Sequence, residues 1–252
     1  MLENWRLVDL EYSDPYTNLA VEEAIMKAVG ENTSPPTVHF WRNVRPTIVL
    51  GRFQNAAFEI NSLACAKYGI AVVRRFTGGG TVYHDQGNLN YSISISKSHV
   101  LVSNNVFNSI AVLLRGVLQG LQVLGFVPEF EPPGSIKING KKVSGIAGAI
   151  RGGAIFYHGT MLVNSNLEVL SEALQARDSR NTSNPTSSRH VLVTTLQDEA
   201  RREVQIKEVK GSIRQGFEGA YGIKLLDGEL SSRERDLVKQ ISRNRRTLGL
   251  FG

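Results

Sequence analysis

The chain has 252 residues, 41% hydrophobic and 21% charged, with a formal net charge of +6 at pH 7. That balance suits a globular domain and excludes a disordered or fibrous chain, and no apolar run is long enough for a membrane-spanning helix. Cys65 is the only cysteine, so an internal disulfide is excluded, a cysteine-based metal site is not expected, and a cytoplasmic location is.

The first residues lack the basic-then-apolar order of a secretion signal. The positive charge admits two readings, a nucleic-acid binder or an enzyme that handles anionic ligands or docks an acidic partner. Basic residues are dispersed except at Arg243, Arg245 and Arg246, and neither zinc-finger spacing nor an RNP-type aromatic motif occurs. Nucleic acid is therefore not the expected partner.

Over residues 17–29, Leu19, Val21, Ala24, Ile25 and Val29 predict an amphipathic helix stopped by Gly30. Thr37–Trp41 and Thr47–Gly51 read as strands, with Arg45-Pro46 in the turn between them. Trp41 and Phe53 are both expected in the core. A short helix is predicted over 61–69, and Cys65 within it reads as a buried, inert thiol.

Residues 70–96 organise the rest. Ile70–Val73 is an apolar run ending in Arg74 and Arg75, three glycines follow at 78–80, and Tyr91, Ile93 and Ile95 then alternate with serines. This predicts a strand, a glycine loop and a second strand with one buried face. Consecutive glycines let bare N–H groups approach an anion and permit positive φ. Arginines add fork-shaped donors suited to phosphate or carboxylate. A plain turn with a solvated arginine pair would look the same. The stretch is not a P-loop, since no Lys-Ser or Lys-Thr follows, and it lacks dinucleotide-fingerprint spacing.

Next come apolar residues from Val106 to Leu124 at three- and four-residue spacing, the clearest helix in the chain. Asn139-Gly140 predicts a hairpin turn that places Lys141–Gly145 on the return strand, with Lys142 and Ser144 on one face and Lys141 and Val143 on the other. A strand resumes near Ala154–Val163, followed by a helix over Leu167–Leu174 and a polar loop over 176–190. Residues 198–221 read as one helix, and Ser231-x-x-Glu234 as a capping box opening a last helix.

The run Arg-Arg-Phe-Thr-Gly-Gly-Gly-Thr-Val-Tyr-His-Asp-Gln-Gly-Asn-Leu-Asn, starting at Arg74, resembles the signature of the lipoate–protein ligase A family, relatives of the biotin–protein ligases. Asn18–Ala24, Trp41–Asn55, Gly140–Ala147 and His158–Val163 resemble other stretches of that family. The resemblance covers roughly residues 13–175. It implies one α/β (α+β) domain over 1–252, a mixed β-sheet with packed helices of the biotin/lipoate ligase catalytic type, without the small C-terminal domain usual in full ligases.

The implied activity is a ligase that joins lipoate and ATP into lipoyl-AMP, with Mg²⁺ bridging phosphates, then transfers lipoyl to a carrier lysine. The carrier would be an E2 lipoyl domain, the glycine-cleavage H protein or similar, and a separate C-terminal ligase subunit could take part. By match to the family motifs, Lys142 is the lysine on carboxylate and α-phosphate. Arg75, Phe76, Gly78, Gly79, Gly80, Thr81, Val82, Tyr83, His84 and Asn88 would form the ATP and lipoyl-adenylate site. No metal ligand is assigned. Alternatives stay open: a lipoyl or octanoyl transferase using a preformed donor, or a non-catalytic nucleic-acid or adenylate binder. The chain departs from the ligases where an Asn-Asp pair is usual, having Glu131-Pro132-Pro133-Gly134. Related octanoyltransferases use a cysteine near that position, and none lies there.

Overall fold

The structure is a computed structural model that describes residues 2–103, 106–175 and 191–248. Its strands are β1 (Glu3–Asp9), β2 (Thr37–Trp41), β3 (Thr47–Leu50), β4 (Ala71–Arg74), β5 (Val82–His84), β6 (Asn88–Ser96), β7 (Glu129–Glu131), β8 (Ser135–Ile138), β9 (Lys141–Arg151), β10 (Ala154–Leu162) and β11 (Ile223–Asp227). The helices are α1 (Pro15–Gly30), α2 (Ala56–Glu59), α3 (Ser62–Lys67), α4 (Val106–Val123), α5 (Leu167–Ala173), α6 (Leu196–Ala200), α7 (Ile206–Tyr221) and α8 (Ser232–Leu248). Eight strands form one mixed sheet in the order β11-β1-β2-β6-β10-β9-β8-β7, and β4-β3-β5 form a second. This is the expected mixed α/β architecture.

One face of the large sheet carries Phe40, Tyr91, Ile93 and Tyr157 against Leu113 and Val117 of α4 and Ile213 and Phe217 of α7. The other face is covered by α1, which packs in turn on α8 through Val21, Ala24, Leu237 and Ile241. Both faces of β6 are therefore buried, and Ser92 and Ser94 with them. The alternation that predicts a half-solvated strand instead reflects an apolar face toward α4 and a small polar face under α1.

The glycine stretch is not a hairpin. β4 pairs parallel with β3, β5 pairs antiparallel with β3, and β6 leaves for the large sheet. Likewise β2 and β3 part into different sheets rather than pairing with each other. Period-two pattern identifies strands but not their partners. The predicted helix over 198–221 is two, α6 and α7, because Arg201 takes a left-handed φ of 52° at the end of α6. Strand β1 and the edge strand β11 are not among the predicted elements. The loop predicted over 176–190 lies outside the described residues.

The Ser231–Glu234 capping box forms as expected, with Ser231 N–H donating to Glu234 at 2.8 Å and Glu234 N–H to the Ser231 hydroxyl at 3.2 Å. The same carboxylate accepts from Arg6 Nη1 at 2.8 Å and from Ser34 Oγ at 2.9 Å, tying α8 to β1. Burial alone would push the Glu234 carboxyl up, but Arg6, the Ser231 N–H and Ser34 hold it below its ordinary 4.5. Its stabilising contribution is thus complete above that value and lost as pH falls through the lower folded one. Glu234→Ala is expected to cost about 3 kcal/mol at pH 7, since it strands a largely buried arginine. In urea denaturation the gap to wild type should close on acidification, and a pH-independent gap would refute the charge assignment.

Candidate functional site

Lys142 enters from the hairpin of β8 and β9. Asn139 and Gly140 take φ values of 51° and 74°, the pair of positive angles the tight turn needs. A register shift opposite Ile136 and Lys137 makes Val143 an extra residue, so the predicted alternation ends there. Val143 and Ser144 are both buried, and the Ser144 hydroxyl meets Tyr91 OH at 3.0 Å. The two lysines still diverge. Lys141 Nζ pairs with Glu199 at 2.9 Å, whereas the Lys142 side chain lies back over Gly145, where an added Cβ would come within 3.3 Å of Nζ. The Lys142 backbone is fixed by Leu192 O and Thr194 N–H at 2.9 and 3.0 Å. Among the described residues its ammonium makes no hydrogen bond or ion pair. Desolvation pushes its pKa down, with Lys137 and Arg75 adding to that and Glu131 opposing it.

The glycine loop faces the same strand. Gly79 has φ +85°, and a Cβ there would meet Arg75 Nη2 at 3.1 Å and Ala147 Cβ of β9 at 3.5 Å. From behind, Gly51 comes so close that its own Cβ would lie 2.1 Å from Gly79 O. A Cβ on Gly78 would meet only the Phe53 ring, at 3.9 Å. The loop is thus pinned at Gly79 and open at Gly78.

Arg75 is buried, and its donors all turn inward: Nη2 to Gly78 O and Gly80 O at 2.7 Å each, Nη1 to Val49 O at 3.1 Å, and Nε to Thr77 Oγ1 at 3.0 Å. Burial lowers its pKa to about 10, with Glu22 opposing, so it stays charged at neutral pH. It shapes the loop instead of offering a free fork to a ligand.

Of the other expected site residues, Phe76 packs on Phe156 with centroids 5.1 Å apart. Thr81 donates to Gln54 Oε1 at 2.8 Å, and Val82 packs beside Trp41 and Val49. His84 is buried beside Trp41, and burial, then Arg75 and His158, push its pKa down to about 3. It is therefore a neutral ring, with Nδ1 3.3 Å from Asn43 Nδ2. Tyr83 joins Ile48, Cys65 and Ile70 and lines a separate cleft of about 1000 Å³ with Arg42, Gln205 and Lys207. Asn88 bonds inward to Thr160, Ser165, Tyr83 O and Asp85 N. The structure gathers Arg75 and the glycines against β9, and Asn88 reaches the same face through Thr160, the register partner of Gly145; Tyr83 lines other ground. Trp41 is core as expected, but Phe53 is 68% exposed beside the loop, with Arg52 over its ring.

The sequence reading gave no role to Glu22, Thr77 and His158. Glu22 of α1 is fully buried; Oε1 accepts from Trp41 Nε1 at 2.9 Å and Oε2 lies 2.8 Å from His158 Nδ1. His158 Nε2 is 2.8 Å from Thr77 Oγ1. Burial raises the Glu22 pKa, but His158, His39 and Trp41 outweigh it and keep the group a carboxylate. The only signal was that all three lie inside motifs of the resemblance.

A partly buried cation, a bare loop edge and a charged scaffold behind it form a place for an anion that needs close backbone approach. The family model of the lipoyl protein ligase A/B catalytic domain matches residues 14–218. Octanoyltransferase LipM of Carboxydothermus hydrogenoformans is 30% identical over 260 residues, covering 97% of this chain and 96% of that protein. A bi-partite lipoate protein ligase of Thermoplasma acidophilum, from a structural analysis of that ligase and its E2 lipoyl domain, has a TM-score of 0.80 at 28% identity, covering 96% of this chain and 93% of that one. Another structure from that organism, assigned as a lipoate protein ligase with bound lipoic acid, also scores 0.80 at 28% identity, covering 97% and 96%. This chain belongs to the lipoyl protein ligase A/B catalytic-domain family and is an enzyme of that ligase and acyltransferase group.

Proposed function

We propose that the enzyme transfers a lipoyl or octanoyl group from a preformed activated donor, an acyl-adenylate, to a lysine of a lipoyl-carrier domain. The observation that carries the reading is the Lys142 ammonium, partly desolvated and without a partner among the described residues, on the strand facing the glycine loop. A cation so placed is costly unless a bound anion completes it. The relative named an octanoyltransferase and the bi-partite ligase described alongside its E2 lipoyl domain support the acyl and carrier classes.

In the transfer, the uncharged carrier amine attacks the acyl carbon. A C–N bond forms, the bond to the phosphate oxygen breaks, and the amine proton leaves to solvent. Lys142 offsets charge on the carbonyl and departing phosphate oxygens as it grows. The loop at Gly78 admits the phosphate, and Arg75 holds that loop in shape. Cys65 takes no acyl group in this reading, because it is buried among Ile48, Ala64 and Ile70 and burial pushes its thiol up.

A second reading, full ligation from lipoate, ATP and Mg²⁺, is favoured by the open loop edge and by the likeness to a bi-partite ligase, with a separate subunit assisting adenylation. The test is mass spectrometry of a lipoyl-carrier domain after incubation with the purified chain. A mass gain is expected with lipoyl-AMP or octanoyl-AMP, and a slow one or none with lipoate, ATP and Mg²⁺ unless a partner subunit is added. No gain from any donor would overturn the proposal, and rapid ATP-dependent gain would establish the ligase reading instead.

A further inference from the structure

The geometry points to a buried relay, Glu22–His158–Thr77, that sets the position of Arg75 and of the glycine loop and makes His158 and Thr77 positioning residues. Its kinetic readout rests on the acyl transfer proposed above; its structural readout does not.

The hydrogen-bond directions at the two ends of the line follow from chemistry. Arg75 can only donate, so its Nε–H, 3.0 Å away, points into Thr77 Oγ1. The Glu22 carboxylate can only accept, so His158 Nδ1 carries the proton across their 2.8 Å contact. His158 Nε2 lies 2.8 Å from the same Thr77 oxygen and closes the line. Arg75 extends the line to Gly78 O and Gly80 O, the two carbonyls that bracket Gly79.

The relay crosses the layers of the fold. Glu22 sits on α1, His158 on β10 in the large sheet, and Thr77 on the loop after β4 of the small sheet. The loop is thereby referenced to the large sheet, whose β9 carries Lys142. The order of groups is that of a nucleophile–base–acid triad. Thr77, however, is 1% exposed, and its oxygen is held by His158 and Arg75 together. It has no open side for an acyl carbon. What the relay can do is hold the loop at the distance from Lys142 that a phosphate bridging them requires.

The full chain would be compared with Thr77→Val, Thr77→Ser and Glu22→Gln by hydrogen exchange at the amides of residues 78–80 and by kinetics with lipoyl-AMP and a carrier domain. Thr77→Val keeps the shape and removes the hydroxyl. It should raise loop exchange and raise KM for lipoyl-AMP roughly tenfold or more, with a smaller fall in kcat. Thr77→Ser should restore both. Glu22→Gln tests the line from its other end, since one of His158 Nδ1–H and Trp41 Nε1–H then loses its acceptor, and it should move both readouts in the same direction. Wild-type loop exchange and KM in Thr77→Val, or in Glu22→Gln should the first variant fail to fold, would overturn the relay. So would an acyl group found covalently on Thr77. If the wild-type chain transfers nothing, the proposed function fails while the exchange comparison still decides the relay.

Discussion

Lys142→Ala is expected to reduce carrier acylation from lipoyl-AMP by at least about a hundredfold, the scale seen when a charge-stabilising donor is removed from a transition state. Among the described residues the ammonium makes no hydrogen bond or ion pair, and the neighbouring cation on β9, Lys141, turns away to Glu199. The fold should survive. Lys142 is held through its backbone by Leu192 and Thr194, and those bonds do not involve the side chain. Lys142→Arg should rescue poorly, since a planar fork does not match a compact ammonium lying over Gly145. Lys141→Ala serves as the control. Its ion pair is partly exposed, so stability should change by less than about 1 kcal/mol, with acylation near wild type. Initial rates measured by carrier mass gain would decide, and near-normal acylation by Lys142→Ala would remove it from the mechanism.

The second large effect is expected at Gly79. At φ +85° a branched residue is strained, and its Cβ would press on Arg75 Nη2 at 3.1 Å. Gly79→Val should therefore displace the loop and weaken binding of an acyl-adenylate analogue by roughly tenfold or more, with some loss of thermal stability. Gly78→Ala separates the two effects. Its φ is not in the left-handed region, and the new methyl would meet only Phe53 at 3.9 Å. It should melt like wild type yet bind the analogue more weakly, because the methyl occupies the ligand's approach. Calorimetric titration of both variants is the measurement. Full affinity in Gly78→Ala would mean that the loop is a turn and not a ligand cradle.

Much of this protein was legible in its sequence because the signals were local. The spacing of Leu113, Leu114, Val117 and Leu121 fixed α4, Asn139-Gly140 fixed the β8–β9 turn, and Ser231 with Glu234 fixed the start of α8. Each depends on neighbours within a few residues, where backbone geometry and side-chain chemistry suffice. The motif around Gly78–Gly80 and Lys142 pointed to the proposed site through its resemblance to a known family. Sequence could not say that β3, β4 and β5 leave the main sheet, since period-two alternation is blind to partners. Nor could it show that Arg75 turns its donors onto the loop's own carbonyls, a choice made by burial. Phe53 stays outside because it sits in the tight turn closed by Gln54 N–H donating to Gly51 O. The contact between Glu22 and His158 joins residues 136 positions apart and exists only because α1 lies across β10. Which polar groups meet in the interior was decided by the packing of the layers, because a buried carboxylate and imidazole can remain there only when each satisfies the other.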